Sequence, residues 1–344
     1  MSIDHSNVIK PSQITFNKNS ITLKPEESVL EALLREGHAI PNSCRAGACQ
    51  CCLMQVTPEG KAHLPASSQQ GLTSPEKELG YFLSCSCVPS NPITVQLPSE
   101  ASDSAITTQI TEVRPLNNTI LRVRFSAPLD YRPGQYLNLL FTDDAGVQHT
   151  RSYSIASVPE LDQTTVELHI KTYENGVFGR WIKGSSVQDQ NIEIQGPLGH
   201  CFYSDSLAHD NTNTLLLAGL GTGLAPLYGI VRDALNQGFD KPIHLVAGAR
   251  NSNDIYLIEE LNKLEKQFPN LHVSLVALEG EEYEGIKIEN IYDFCKNLDI
   301  DFSKTHAFLC GAQSFVGKLK KQLFLSGTPM KSIMSDPFLP AKNP

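Results

Sequence analysis

The stretch Ser43-Cys44-Arg45-Ala46-Gly47-Ala48-Cys49-Gln50-Cys51-Cys52 decides how the front of this chain is read. It sets Cys44, Cys49 and Cys52 in the spacing Cys-x4-Cys-x2-Cys, with further thiols far downstream at Cys85 and Cys87. That spacing, closed by a remote fourth cysteine, is one that holds a [2Fe–2S] cluster. Arg45, Ala46, Gly47 and Ala48 suit such a loop, because small side chains let backbone N–H groups approach the cluster sulfurs. Structural zinc also takes four thiolates, but usually from two Cys-x2–4-Cys knuckles, and Cys85-x-Cys87 is too tight for one. Buried free cysteines are the other alternative. Cys85 and Cys87 both remain available as the fourth ligand on spacing alone, and Cys51 is spare.

Outward from the loop, residues 14–24 alternate about an Asn-Lys-Asn-Ser turn and predict a short hairpin. Ser28 and Glu31 form a capping-box pair ahead of Leu30, Leu33 and Leu34, which predicts a helix ending at Gly37. Residues 93–97 read as a strand, and the polar run Pro-Ser-Glu-Ala-Ser-Asp-Ser at 98–104 as a linker. From 105 to 200 short alternating runs (121–125, 136–141, 166–171, 192–194) predict a small antiparallel barrel or sandwich. From 212 onward apolar runs (215–218, 243–247, 273–277, 307–310) alternate with helical stretches and predict a parallel α/β domain. There is no internal repeat.

Ser-Cys-Arg-Ala-Gly-Ala-Cys-Gln-Cys-Cys, together with Gly80-Tyr81-Phe82-Leu83-Ser84-Cys85 and Pro89, resembles plant-type ferredoxin domains over residues 14–97. The resemblance implies a β-grasp ferredoxin-like fold. It also implies Cys44, Cys49, Cys52 and Cys85 as metal ligands, since the family's last ligand follows an aromatic-x-Leu-x stretch.

Two further strings lie in order downstream, Arg132-Pro133-Gly134-Gln135-Tyr136 and Arg151-Ser152-Tyr153-Ser154. An arginine pairs bidentately with phosphate, and a tyrosine stacks on a flat heterocycle. The pair resembles the flavin-binding barrel of the ferredoxin–NADP reductase superfamily. That resemblance implies FAD contacts at Arg151, Ser152, Tyr153 and Ser154, with Ser154 near flavin N5. It extends them to Ile170 and Lys171 and to Gly176, Val177 and Phe178. Gly179 departs from the family's hydroxyl residue at the pyrophosphate turn, which removes one side-chain contact. Gly196-Pro197-Leu198-Gly199 matches the turn that closes the family's barrel.

Leu215-Leu216-Leu217-Ala218-Gly219-Leu220-Gly221-Thr222-Gly223-Leu224-Ala225-Pro226 runs from a strand into a helix. By itself this is a tight strand–helix turn; after a flavin barrel it resembles the reductase loop that accepts a nicotinamide dinucleotide at the carboxyl ends of parallel strands. The resemblance implies Gly219, Gly221, Thr222 and Gly223 as its contacts, and adds Arg250 where a ribose or its phosphate would sit, beside either nucleotide, Cys310 and Gly311 facing the nicotinamide, and Phe338 covering the flavin. Ser154, Thr222 and Cys310 are expected at the reaction centre. Ala312-Gln313-Ser314-Phe315 departs from the usual Pro-x-Met continuation. The alternative for Cys310 is a buried structural cysteine, and for Phe338 simple packing.

The chain has 344 residues and a formal net charge of −9. It lacks the clustered lysines and arginines of a nucleic-acid binder. Residues 214–231 carry no Asp, Glu or Lys, but their four glycines and Pro226 favour a buried strand, loop and helix over a membrane span. The first ten residues read as no secretory signal, and nine cysteines in such a chain favour metal or redox use over disulfides. The histidines show no metal-ligand spacing, and no nucleophile elbow or His-Glu-x-x-His motif occurs.

The expected organisation is a [2Fe–2S] ferredoxin-like domain (1–98), an antiparallel FAD-binding β-barrel (105–205) and a parallel α/β NAD(P)-binding domain (206–344). The whole resembles reductase components of bacterial oxygenases and reductases of the CDP-6-deoxyglucoseen type. The implied activity is electron transfer from NADH or NADPH through FAD and the cluster to a protein acceptor: an oxygenase, a ferredoxin or an iron–sulfur enzyme. The expected setting is a cytoplasmic monomer. The alternative is a non-catalytic redox sensor that keeps the fold.

Overall fold

The structure, a computed structural model, describes residues 12–38, 40–42, 45, 52–70, 72, 76–77, 79–98, 105–143, 146, 148–162, 165–174, 176–183, 191–204, 212–283 and 285–338. The chain divides into two compact units, Met1–Ala101 and Ser102–Pro344. Most of the expected linker, residues 99–104, lies outside the described residues.

In the first unit the anticipated hairpin is β1 (Gln13–Phe16) and β2 (Asn19–Thr22), with Asn17 and Lys18 both at positive φ in the turn. Helix α1 (Val29–Arg35) begins at Ser28. The Ser28 hydroxyl accepts the Glu31 N–H at 3.3 Å, and the Glu31 carboxylate accepts the Ser28 N–H at 2.9 Å. Gly37, at φ +83°, follows its end. Strands β3 (Leu53–Val56), β4 (Tyr81–Leu83) and β5 (Ile93–Gln96) complete a mixed sheet in the order β2-β1-β5-β3-β4, with β1 and β5 parallel. The helix lays Leu30 and Leu33 on Ile14, Met54 and Phe82, all essentially solvent-free. Each such burial is worth about 2 kcal/mol. This is the β-grasp arrangement.

The second unit holds two sheets. Strands β6 (Ile106–Pro115), β7 (Ile120–Ser126), β8 (Tyr136–Thr142), β9 (Gln148–Ser154), β10 (Thr165–Lys171) and β11 (Asn191–Leu198) pair in the order β10-β7-β6-β11-β8-β9, antiparallel throughout. The two outer strands meet through an Ile155–Leu168 bridge and an Ala156 N–H donated to the Glu167 carbonyl, which closes the sheet into a barrel. One detail differs from expectation. Gly196, Pro197 and Leu198 do not form a turn; they continue β11, with a register shift after Gln195 and Leu198 paired to Tyr136. An irregularity of this kind bends a strand without ending it.

The other sheet is parallel, in the order β15-β14-β13-β12-β16-β17. Its strands are β12 (Thr214–Leu220), β13 (Ile243–Asn251), β14 (Leu271–Glu279), β15 (Ile286–Ile288), β16 (Thr305–Ala312) and β17 (Ile333–Phe338). The chain starts in the middle, runs outward through β13, β14 and β15, and returns to β16 and β17 on the other side. The reversal leaves a crevice at the carboxyl ends of β12 and β16. Pro337 is tolerated because β17 is an edge strand. Helices α2 (Pro159–Asp162) and α3 (Val177–Lys183) belong to the barrel half. Helices α4 (Leu224–Asn236), α5 (Ile258–Gln267), α6 (Ile291–Lys296) and α7 (Gln313–Leu325) pack on the parallel sheet. Residues 214–231 resolve into β12, a glycine turn and the start of α4, and no described helix is long and apolar enough to cross a membrane.

Charged groups tie the two sheets together. Glu167 on β10 accepts Arg122 at 3.2 Å and Arg124 at 2.6 Å, and His169 at 2.8 Å; Arg122 also reaches Glu260 of α5. His169 meets the Tyr256 hydroxyl at 3.2 Å, and Arg232 of α4 grips Asp162 of α2 through two hydrogen bonds. Glu167 is buried, yet His169 and the two arginines outweigh desolvation and hold its carboxyl down at about 2. Burial lowers the His169 pKa, so the ring is neutral at neutral pH.

Ser28→Ala removes one half of the capping box. We expect the 1–101 unit to lose about 1 kcal/mol, read from its urea-unfolding transition by circular dichroism; an unchanged midpoint would mean the cap is energetically idle.

Candidate functional site

In the first unit, the residues around Cys52 set two thiols side by side. Cys52 immediately precedes β3, and its carbonyl accepts both the Ser84 N–H at 3.0 Å and the Ser84 hydroxyl at 2.8 Å. That clamp brings Cys85 against it, and the Cys85 N–H is donated to the Cys52 sulfur. Burial pushes the Cys52 thiol up, with the neighbouring Cys85 adding to the rise. A buried Cys52 thiol held against a second thiol fits a bound metal, which takes cysteine as thiolate. Cys87 points elsewhere: it is fully buried in the apolar core, its thiol pushed up to about 12 by burial, while its carbonyl accepts the Val29 N–H that begins α1. Cys44, Cys49 and Cys51 lie outside the described residues, so their part in the site remains an expectation.

In the barrel, Arg151, Ser152, Tyr153 and Ser154 end β9 opposite Leu139, Asn138, Leu137 and Tyr136 of β8. Arg151 and Tyr153 fall on one face of the strand, Ser152 and Ser154 on the other. The half-buried Tyr153 ring lies 5.1 Å from Phe178, which also packs on Phe141 and Trp181. Burial raises the Tyr153 phenol, so it stays protonated. Ser152 donates to Asn138 at 2.7 Å. Ile170 is buried inside the barrel, whereas Lys171 is exposed with its ammonium 5.7 Å from the Tyr173 ring. Gly176 closes a turn onto the Tyr173 carbonyl, and Val177 and Phe178 open α3.

The glycine loop after β12 is built by close backbone contact. Gly219 ends the ladder with β16 opposite Cys310 and pairs with Ala247 of β13, whose ladder runs on to Leu220 and Gly248. Gly221, Thr222 and Gly223 form a single tight turn into α4. A β-carbon on Gly223 would sit 2.1 Å from the Cys310 carbonyl oxygen, so only glycine lets the turn lie against β16. Gly221 is at φ +58° with nothing within 4 Å of its β-carbon position, leaving open space where a dinucleotide would approach the backbone. Gly311 follows Cys310 at φ +136°.

Ser154 and Cys310 come together through a residue that the sequence reading passed over. Asp336 on β17 is register partner to Cys310, and its N–H is donated to the Cys310 sulfur. Its carboxylate accepts the Ser154 hydroxyl at 2.9 Å. Desolvation pushes the Asp336 carboxyl up to about 6, the Ser154 hydrogen bond holding it back only in part. Cys310 is buried, its thiol pushed well up by burial, and its sulfur lies 3.9 Å from that of Cys201. The signal available in the sequence was a lone carboxylate two places before the terminal Phe338. Phe338 itself is half-buried at the end of β17, opposite Ala312. Arg250 stands apart near the end of β13, exposed and paired with Glu279. Among the described residues no cluster of three or more His, Cys, Asp or Glu side chains forms another metal site.

Comparison with known proteins agrees with this architecture. Residues 14–90 match a 2Fe-2S iron-sulfur cluster binding domain, 108–203 an oxidoreductase FAD-binding domain and 216–321 an oxidoreductase NAD-binding domain. The chain is 31% identical over 334 residues to the ferredoxin–NAD(P)+ reductase component of a naphthalene 1,2-dioxygenase system from Pseudomonas putida, covering 94% of this chain and 97% of that one. It is 29% identical to the reductase component of a phenol 2-monooxygenase from Pseudomonas sp. (strain CF600), covering 85% and 83%. Among solved structures it is similar to the Amycolatopsis cytochrome P450 reductase GcoB (TM-score 0.64, 25% identity, 96% and 99% coverage). The fold is shared with a ferredoxin reductase in carbazole 1,9a-dioxygenase (TM-score 0.62, 22% identity, 95% and 98% coverage). With its three cofactor domains in the same order as these relatives, the chain belongs to the ferredoxin–NAD(P)+ reductase components, NAD(P)H-dependent oxidoreductases that use FAD and a [2Fe–2S] cluster.

Proposed function

We propose that this chain delivers electrons from NAD(P)H to an oxygenase. The observation that carries the reading is the meeting of Ser154 from the barrel with Asp336 and Cys310 from the parallel sheet, at the mouth of the glycine turn. An FAD held there would supply acceptance of the NAD(P)H electron pair, and a cluster held by the cysteines would supply one-electron transfer.

The residues divide the work as follows. Cys44, Cys49, Cys52 and Cys85 hold the cluster. Arg151 pairs with a phosphate of the flavin dinucleotide. Ser152, Ile170, Lys171, Gly176, Val177 and Phe178 frame it, and Tyr153 offers a flat face. Gly219, Gly221, Thr222, Gly223 and Gly311 admit the nicotinamide nucleotide against backbone, and Arg250 meets its ribose end. Phe338 covers the flavin. Ser154, Thr222 and Cys310 line the point of transfer, and Asp336 orients the Ser154 hydroxyl. The domains span 1–98, 105–205 and 206–344. The protein acts in the cytoplasm as a monomer, and its acidic balance, a formal net charge of −9, supports a protein partner rather than nucleic acid.

Anaerobic titration of the purified holoprotein tests the reading. Flavin and cluster absorption should bleach with NADH or NADPH, and an oxygenase encoded beside this chain should turn over when the two are mixed. Bands that persist with both nucleotides would instead indicate a redox module without turnover.

The fourth ligand is tested separately. Cys85→Ser should lose the visible cluster spectrum, while Cys87→Ser should keep it at some cost in stability.

The Asp336 carboxyl is raised from 3.8 to about 6, so it changes charge within the working range. The rate of flavin reduction should show an inflection near pH 6 that Asp336→Asn abolishes. A raised carboxyl favours the folded state only while protonated. That contribution is complete below the ordinary aspartate range and is lost as pH rises through about 6. The stability of Asp336→Asn relative to the parent should therefore improve from acid to neutral pH.

A further inference from the structure

The parallel sheet places the two ends of a dinucleotide. In the proposed function the nicotinamide lies beside Cys310 on β16, to one side of the β12 turn. The adenosine end then extends to the other side, over the carboxyl ends of β13 and β14. Two opposite charges stand there. Arg250 is next to last in β13, and Glu279 is last in β14, where it pairs in register with Asn251. The Arg250 Nε donates to Glu279 Oε1 at 3.1 Å. Their side chains are 81% and 53% exposed, so both face whatever binds at this edge.

The chain beyond Glu279 adds negative charge and is held in place. Gly280, at φ +113°, lies so close to Ser252 that a β-carbon there would sit 2.9 Å from its backbone nitrogen. The Tyr283 hydroxyl is donated to the Ser252 carbonyl at 3.3 Å. Between these two anchors stand the exposed Glu281 and Glu282, and Glu289 follows the end of β15. The nearby Lys287 ammonium sits 5.0 Å over the Phe294 ring. Arg250 thus stands at an edge where the described chain carries several exposed carboxylates, and it is already paired with one of them.

The consequence separates the two nicotinamide nucleotides, which differ by a 2′-phosphate. That group carries about −1.5 to −2 charge at neutral pH. To reach the Arg250 Nη groups, which the Nε–Glu279 contact leaves open, it must lie beside the Glu279 carboxylate, a dianion against an anion. A free 2′-hydroxyl makes no such demand and can donate to the Glu279 carboxylate. We propose that Glu279, through its pair with Arg250, selects NADH over NADPH. The inference rests on the nicotinamide reading of the β12 turn given above.

The test uses the full-length holoprotein and anaerobic flavin reduction, with kcat/KM measured for each nucleotide. NADH should exceed NADPH by about 100-fold, the scale of a like-charge juxtaposition. Glu279→Gln, an exposed change, should shrink that ratio by about tenfold or more, and adding Arg250→Ala should abolish the NADPH gained. As an independent readout, 2′-phospho-AMP should compete with NADH much more weakly than AMP does, and Glu279→Gln should narrow the gap. Equal use of both nucleotides by the parent, or an unchanged ratio in Glu279→Gln, overturns the selectivity and leaves the reductase reading standing. Failure of both nucleotides to bleach the flavin overturns the reductase reading and this inference with it.

Discussion

The carbonyl oxygen of Cys310 occupies the place where any side chain on residue 223 would begin. That one close approach sets the depth of the nucleotide turn. Because Gly223 lies flat on β16, the turn, Cys310 and the end of β12 form one continuous edge. With a bulkier residue the turn would stand off from the sheet, and the first turn of α4 would move with it. The rest of the site is arranged around this edge: Asp336 joins it from β17, and Ser154 reaches it from the barrel.

The contact between barrel and sheet must therefore be rigid, and its chemistry explains how. Arg122, Arg124, Glu167 and the neutral His169 form a largely buried polar group on two barrel strands, and Glu260 and Tyr256 receive it from the sheet half. A buried carboxylate with two arginines and a histidine around it has few geometries that satisfy all partners. Such a group contributes orientation more than net stability. The doubly bonded Arg232–Asp162 pair fixes a second point, so rotation of one half on the other would break both.

The site sets electrostatic environments of opposite kinds at its two ends. Around Ser154 and Cys310, burial dominates: the Asp336 carboxyl is raised and the Cys310 thiol is kept protonated. At the ends of β13 and β14 the groups are open to water, and the sign of the local charge matters instead of desolvation. On the function proposed above, the first end governs protonation where transfer occurs. On the selectivity proposed above, the second governs which nucleotide is admitted.

Much of this was legible in the chain itself. The cysteine spacing, the Ser28–Glu31 cap, the Arg-x-Tyr-Ser string and the glycine turn are local patterns, each dictated by what a few consecutive residues must do with their own backbone. Period-2 and apolar-run patterns likewise placed β7, β8, β10 and β11 of the barrel and β12, β13, β14 and β16 of the parallel sheet. They missed β6 and the edge strands β15 and β17, where threonines, few residues or a proline blur the pattern. What the sequence could not reveal were pairings between distant residues. Ser154 and Asp336 are 182 positions apart, and Arg250 and Glu279 lie on successive strands whose register sets their distance. Nothing local marks Glu167 as the carboxylate buried beneath two arginines. Those choices belong to the tertiary fold, because desolvation and charge pairing depend on which strands end side by side.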